Sequence, residues 1–135
     1  MNMKILQPPG WARARGFSNG IACKGTLVFI AGQIGWTGQG KWEARDFAGQ
    51  FRQALQNVIS VLKEANGKPE DIVRLTWYVI DKREYADALK EVGAAYRELM
   101  GRHYPAMAVV QVGALVEDEA RLEIEATAVI PEGKS

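Results

Sequence analysis

Apolar and polar residues alternate most regularly in the last third of the chain. Over residues 106–115 and again over 121–130, every second side chain is apolar, which is typical of strands with one face on a core. The segment 116–120 between these stretches carries three acidic residues, which is typical of a solvated turn. The pattern therefore predicts a β-hairpin over residues 105–130.

The second face of this predicted hairpin mixes charged and apolar side chains. Gln111, Glu123 and Glu125 occupy it together with Met107 and Val109. Such a mixture is typical of a subunit interface or a ligand pocket. A solvated sheet face with two ordinary surface glutamates is the alternative interpretation.

Three further strands and one irregular segment are predicted upstream. Residues 17–23 and 26–35 are predicted to form a first hairpin. Residues 72–80 are rich in β-branched and aromatic side chains and are predicted to form a third strand. The first 16 residues contain a Pro-Pro-Gly turn and are predicted to be irregular. Trp11 is the large apolar residue of that segment, and we expect it to cover the edge of the core.

Apolar residues at helical spacing predict two helices. Asp46 is a preferred type of N-cap for the first helix, and Asn66-Gly67 supplies a left-handed stop. Asp81 and Glu84 have the spacing of a capping box at the start of the second helix, which is predicted to stop at Gly101.

The predicted element order is ββαβαββ, which indicates an α+β domain with two helices on one face of the sheet. Several strands carry apolar side chains on both faces, as at Phe29 beside Ile30 and at Trp77 beside Tyr78. Burial of the second face in a homo-oligomer is the simplest explanation. The length of 135 residues is that of one domain, so we expect a single domain over residues 1–135.

Composition narrows the possible function classes. The net charge is +1, and no cluster of basic residues favours a nucleic-acid or membrane surface. One cysteine and one histidine cannot build a usual zinc site or a Ser-His-Asp or Cys-His set within one chain. The sequence shows no signal peptide or transmembrane span, so we expect a cytoplasmic protein without metal, nucleic-acid or membrane partners.

Three short motifs occur in order along the predicted fold. They are Ala31-Gly32-Gln33-Ile34, Tyr104-Pro105-Ala106 and the stretch from Leu122 to Val129. Together they resemble the RidA (YjgF-type) reactive-intermediate deaminases over residues 17–130. The resemblance implies a chorismate-mutase-like fold with a mixed sheet, in a homotrimer with three pockets between neighbouring subunits. It also implies hydrolysis of enamines and imines, such as 2-aminoacrylate, to a 2-keto acid and ammonia without a metal or organic cofactor.

The resemblance also suggests site residues. The family's glutamate that positions the hydrolytic water falls on Glu123, and the backbone turn that contacts the substrate falls on Ala31 and Gly32. The pocket tyrosine falls on Phe17, and a pocket asparagine falls on Gly93. Glu123 is therefore the candidate catalytic residue, and the other four are candidate substrate-binding residues.

Two further pocket positions depart from the family pattern. The family's arginine falls on Met107 and its cysteine on Val109, which are also candidate substrate-binding residues. An arginine binds a substrate carboxylate through paired charge-assisted hydrogen bonds, whereas methionine offers only an apolar surface. We therefore expect no activity on 2-aminoacrylate and favour a larger enamine or imine, for example an amino-dienoate such as 2-aminomuconate. Candidate replacement cations are Arg13, Arg15 and Arg74, and candidate stacking residues are Trp11, Trp36 and Trp77.

A non-catalytic trimer that binds a small metabolite is the alternative function. Older labels of the family also name translation inhibition and ribonuclease activity, which a near-neutral charge without a basic, aromatic stripe does not favour. The choice between an enzyme and a binding protein depends on Glu123, whose alternative interpretation is an interface carboxylate.

Overall fold

A four-stranded mixed sheet with helices on one face forms the centre of the fold, in a computed structural model that describes residues 3–133. Two further strands, β1 and β2, pair as a separate antiparallel ribbon. The strands are β1 (Lys4–Leu6), β2 (Gly20–Ala22), β3 (Thr26–Ile34), β4 (Ile72–Val79), β5 (Ala106–Gln111) and β6 (Leu122–Ile130), and the helices are α1 (Phe47–Lys63), α2 (Lys82–Asp87) and α3 (Leu89–Met100). A 3-10 turn over Pro69–Asp71 precedes β4.

The strand order in the sheet is β3-β6-β4-β5, so β4 separates the two strands that were predicted to pair with each other. The prediction of a C-terminal hairpin is therefore wrong. β5 is parallel to β4, whereas β6 is antiparallel to both β3 and β4. Helices α2 and α3 form the crossover that a parallel pair requires. Alternation identifies a strand but not its neighbour, because every half-buried strand has the same period.

The predicted first hairpin is also wrong, because β2 and β3 do not pair. β2 pairs with β1, which lies in the segment predicted to be irregular. Gly25 stands between β2 and β3, and a Cβ there would lie 2.1 Å from the carbonyl oxygen of Ile130. The chain passes close to the end of β6 at this point, which the absence of a Cβ at Gly25 permits, and the φ of +151° is a second reason for glycine there.

The helices begin and end close to the predicted residues. The Asp46 carboxylate caps α1 by accepting a hydrogen bond of 3.2 Å from the backbone N–H three residues later. Asn66 follows α1 with a φ of 62°, the left-handed conformation expected there. Asp81 caps α2, but the second predicted helix is divided into α2 and α3 at Ala88. Within residues 3–133, none of the helices has the length and hydropathy needed to cross a lipid bilayer.

Glu84 has a different role from the one predicted. Instead of completing a capping box, its carboxylate accepts hydrogen bonds from Nε of Arg121 at 3.0 Å and from Nη2 at 2.6 Å. Paired contacts of this kind are the strongest geometry for an arginine and a carboxylate. The ion pair joins α2 to the chain just before β6.

The two faces of the four-stranded sheet differ in their surroundings. The covered face packs under the helices and contributes core residues such as Leu75 and Leu122. The other face, called the open face below, carries Glu123 together with Leu27 and Phe29, which are 57% and 75% exposed. Large apolar side chains on an exposed sheet face are typical of a surface that another protein covers.

Candidate functional site

The candidate catalytic carboxylate lies against a glycine. β3 and β6 are antiparallel, with Ile34 opposite Glu123, and the register shifts at a bulge between Ile30 and Gln33. Gly32 lies in that bulge, and a Cβ there would be 2.0 Å from Oε2 of Glu123. The carboxylate therefore lies directly over the Gly32 backbone, in space that only a glycine leaves open.

Glu123 is also free of competing ion pairs. It takes part in none of the salt bridges among residues 3–133. Ala31 and Gly32 beside it are exposed, and Glu123 itself is half-buried. The structure thus brings together three of the predicted site residues, and we call Ala31, Gly32 and Glu123 the carboxylate half-site.

Glu125 lies two residues further along the same face and is engaged differently. The Tyr78 hydroxyl donates a hydrogen bond to its carboxylate. This hydrogen bond, followed by burial and the charges of the two glutamates, raises the pKa of Tyr78, and the nearby Arg74 acts in the opposite direction. The two glutamates therefore differ, because Tyr78 holds one and the Gly32 backbone faces the other.

A cavity of about 200 Å³ lies between α3 and strands β4 and β5. The Tyr96 and Tyr104 rings are stacked there with centroids 5.4 Å apart, and Trp77 meets Tyr85 edge to face at 5.9 Å. We call this cavity the aromatic half-site. Its wall includes Trp77, Tyr85, Gly93, Tyr96, Tyr104 and Met107.

Tyr96 is fixed by a partly buried hydrogen bond. Its hydroxyl donates to the carbonyl oxygen of His103 at 2.6 Å. Burial, and to a smaller extent the neighbouring Tyr104, raises the pKa of Tyr96 well above its ordinary value. The ring therefore stays neutral and in one orientation at physiological pH, as a wall of the cavity.

Arg97 lines the aromatic half-site, although it was not among the predicted site residues. Among the described residues that line this cavity, it is the only charged one. Gly93 lies one turn earlier on α3, and a Cβ there would be 3.4 Å from Nη1 of Arg97. The sequence did contain a signal, because residues four apart on a helix share a face.

Phe17 lies in an adjoining cleft of about 480 Å³, together with Trp11 and Arg13. Tyr104 forms a wall of both this cleft and the aromatic half-site. Trp11 is 62% exposed, so the expectation that it covers the edge of the core is wrong. The Gln7 side chain donates to the Trp11 carbonyl oxygen at 3.3 Å in this exposed segment.

The remaining candidate cations and stacking residues are dispersed. Arg74 lines a cleft on the open face, and Arg15 lines neither the Phe17 cleft nor the aromatic half-site. Trp36 packs on Trp42, with ring centroids 5.7 Å apart. Of the three candidate tryptophans, only Trp77 contributes to the aromatic half-site.

The two half-sites are on opposite faces of the sheet. Met107 and Val109 are in register with core residues of β4 and pack against the core on the covered face. Glu123 lies opposite Tyr78 on the open face. The prediction that Met107, Val109 and Glu123 share a face is wrong, because it assumed that β5 and β6 form a hairpin. Since β4 lies between those strands, they are about 10 Å apart, and one chain presents two separate half-sites.

Comparison with known sequences identifies one family. The sequence pattern of the family described as endoribonuclease L-PSP matches residues 10–130. A 2-iminobutanoate/2-iminopropanoate deaminase of Salmonella typhimurium is 35% identical over 108 residues, which are 78% of this chain and 80% of that protein. A RutC family protein of Pyrococcus horikoshii is 33% identical over 105 residues, which are 77% of this chain and 79% of that protein.

Solved structures agree with this assignment. A Rid family protein of unknown function from Yersinia pestis superposes with a TM-score of 0.82 at 32% identity, covering 96% of this chain and 100% of that one. The YjgF gene product of Escherichia coli superposes with a TM-score of 0.66 at 33% identity, covering 84% of this chain and 87% of that one. These structures confirm the predicted α+β, chorismate-mutase-like fold with its mixed sheet. The chain therefore belongs to the endoribonuclease L-PSP family, the family of the RidA, YjgF and RutC proteins.

Proposed function

We propose that the protein is a hydrolytic deaminase of an enamine or imine other than 2-aminoacrylate, for example an amino-dienoate such as 2-aminomuconate. The relative from Salmonella typhimurium supports the reaction class, because it is named for the deamination of 2-iminobutanoate and 2-iminopropanoate. The observation that carries the proposal is the contact of the Glu123 carboxylate with the Gly32 backbone.

Glu123 is the general base in this mechanism. Its carboxylate takes a proton from water as the water oxygen adds to the C=N carbon of the imine, or of the imine tautomer of an enamine. The carboxyl group returns that proton to the nitrogen, which gives a carbinolamine. It then carries the hydroxyl proton to the nitrogen as the C–N bond breaks, so that ammonia leaves and the 2-keto acid forms. Backbone N–H groups of the bulge at Ala31 and Gly32 stabilise the negative charge that develops.

The substrate binds between two subunits in this proposal. Since the half-sites are on opposite faces of the sheet, Glu123 of one subunit completes the aromatic half-site of its neighbour. The exposed Leu27 and Phe29 on the open face supply apolar area for such an interface. The assembly is a homotrimer with three equivalent sites.

The lining of the aromatic half-site supports a substrate other than 2-aminoacrylate. Met107 offers a polarizable apolar contact there, and four aromatic rings form the surrounding wall. Such a surface favours a flat, unsaturated carbon chain over a short, strongly hydrated one. An amino-dienoate has this shape.

A metabolite-binding protein without catalysis is the second candidate function. The aromatic half-site favours it, because a cavity with four aromatic rings can hold a flat ligand whether or not chemistry follows. Ribonuclease activity, which the family description names, receives no support from a net charge of +1.

Ammonia release from a panel of freshly generated enamines and imines tests the deaminase function. The panel includes 2-aminoacrylate and 2-aminomuconate, and the protein is assayed as wild type, Glu123→Gln and Glu125→Gln. We expect turnover of an unsaturated amino acid larger than 2-aminoacrylate. Glu123→Gln should lower that turnover by about 10²–10⁴-fold, the usual contribution of a general base.

Glu125→Gln is the matched control, because it makes the same change of charge on the same face of the same strand. It should retain turnover if the oligomeric mass is unchanged. Ammonia release that survives in Glu123→Gln would contradict the assigned role of the carboxylate. Absence of release from every compound, with a folded wild-type protein that binds one of them, would favour the metabolite-binding function.

A further inference from the structure

We propose that Arg97 binds the carboxylate of the ligand in the aromatic half-site and selects small, flat, unsaturated carboxylic acids. This inference rests on the deaminase function proposed above, and it names the group that recognises the acid end of the substrate.

Gly93 lies directly beside the guanidinium of Arg97. A Cβ at residue 93 would lie 3.4 Å from Nη1 of Arg97, so the guanidinium extends back over the preceding turn of α3. Both residues line the aromatic half-site. A longer side chain at residue 93 would compete for the space that the guanidinium occupies. Gly93 therefore leaves room for the guanidinium along this part of the cavity wall.

Within its own subunit, Arg97 has no acidic partner in the cavity. No Asp or Glu of the same chain lines the cavity, and the salt bridges among residues 3–133 do not include Arg97. A guanidinium has a planar set of donors that matches the two oxygens of a carboxylate. A carboxylate ligand therefore supplies the partner for the guanidinium that the subunit itself does not provide.

The rings beside Arg97 select the rest of the ligand. Tyr96 and Tyr104 stack on each other with an interplanar angle of 3°, and both line a cavity of about 200 Å³ together with Trp77 and Tyr85. An unsaturated chain or an aromatic ring stacks on such surfaces, whereas a puckered saturated ring cannot lie flat against them. The cavity volume restricts the ligand to a small acid.

Arg97 also lies in the last turn of α3, where a positive charge stabilises a helix. If that were its only role, its removal would lower the melting temperature and leave ligand affinity unchanged. A direct measurement of binding therefore separates the two roles.

Isothermal titration calorimetry with benzoate tests the assignment, because benzoate is a stable, flat carboxylate that cannot be deaminated. Benzamide keeps the ring without the charge, and cyclohexanecarboxylate keeps the charge without the flat ring. We expect the wild type to bind benzoate at least about tenfold more tightly than either comparison compound. Arg97→Gln should weaken benzoate binding by about the same factor, whereas Lys90→Gln, the same charge change elsewhere on α3, should not.

Two further variants test the geometry. Gly93→Val should weaken benzoate binding with Arg97 still present, because the branched side chain takes the space beside the guanidinium. Adding Met107→Arg to Arg97→Gln should restore part of the lost affinity, since it returns a guanidinium to the same cavity from β5.

Equal benzoate affinity in the wild type and Arg97→Gln would overturn the assignment, as would a wild type that does not bind benzoate measurably. The binding assay does not depend on turnover, so the two proposals fail separately. If the wild type releases ammonia but Arg97→Gln has the same benzoate affinity as the wild type, only the proposed role of Arg97 is refuted. If benzoate binding depends on Arg97 but the wild type releases no ammonia, only the proposed deaminase function is refuted.

Discussion

Replacement of Gly32 by alanine is the sharpest test of the contact between β3 and Glu123. The new Cβ would lie 2.0 Å from Oε2 and 2.7 Å from Cδ of Glu123. Because a carbon and an oxygen normally stay about 3.3 Å apart, the carboxylate must move by about 1.3 Å. A displacement of about 1 Å in a catalytic group can cost about 10²-fold in rate, and we expect a loss of that size.

The same change should affect stability little. The atoms that must move are at the end of a flexible side chain on the open face, and the φ of Gly32 is outside the left-handed region. Alanine at such a position also reduces the entropy of the unfolded chain, which contributes about 0.4–1 kcal/mol of stability. We therefore expect a melting temperature within about 4 °C of the wild type.

Gly35→Ala is the matched control for this substitution. Its Cβ would lie 2.6 Å from Cβ and 2.8 Å from Cα of Gln50, a buried residue of α1. Because backbone rather than a side-chain end has to move, we expect a cost of about 1–3 kcal/mol, or about 4–12 °C in melting temperature.

Ammonia release and thermal unfolding, measured on both variants and the wild type, show whether the contact between Gly32 and Glu123 serves catalysis or packing. We expect Gly32→Ala to be stable but slow, and Gly35→Ala to be unstable but to retain its rate per folded molecule. If Gly32→Ala keeps full turnover, the position of the Glu123 carboxylate over Gly32 has no catalytic importance. If it is as unstable as Gly35→Ala, the contact is structural packing.

Two other predictions concern assembly and pH. Phe29→Asp should lower the oligomeric mass measured by light scattering, because it puts a charge at a position on the open face whose side chain is 75% exposed in the single subunit. An unchanged mass would exclude this face from the interface. Because the pKa of Tyr96 is raised in the folded state, the unfolded chain loses this proton first as the pH rises. The contribution of Tyr96 to the free energy of unfolding is therefore fully present below pH 10, the ordinary pKa of tyrosine, and decreases above it. Tyr96→Phe should flatten this decline in denaturant titrations above pH 10, and an equal slope would contradict the assignment to Tyr96.

The sequence predicted the outer ends of the helices because they depend on local chemistry, but it missed the division between α2 and α3 at Ala88. Asp46 and Asp81 act as caps and Asn66 adopts the left-handed conformation, since each feature involves only a few neighbouring residues. Strand pairing is different. The neighbours of β6 are β3 and β4, which lie far away in sequence, and no local pattern specifies them.

For the candidate site as well, the sequence predicted residues that belong to short motifs but not the relative positions that depend on the sheet. A short motif located Glu123 and Gly32, because both belong to segments with a recognisable sequence. Arg97 was missed, although its spacing from Gly93 indicated a shared helix face. The separation of Met107 from Glu123 could not be inferred, because the face that a strand residue occupies follows from the register of the whole sheet.

The location of the two half-sites on opposite faces has a genetic consequence. In the proposed trimer, a subunit with Glu123→Gln still donates an intact aromatic half-site, and a subunit with Arg97→Gln still donates an intact carboxylate. Two impaired variants should therefore complement each other when their subunits are mixed. Random exchange in equal amounts would pair intact partners at about a quarter of the interfaces, so that the mixture turns over more substrate than either preparation alone at low substrate concentration.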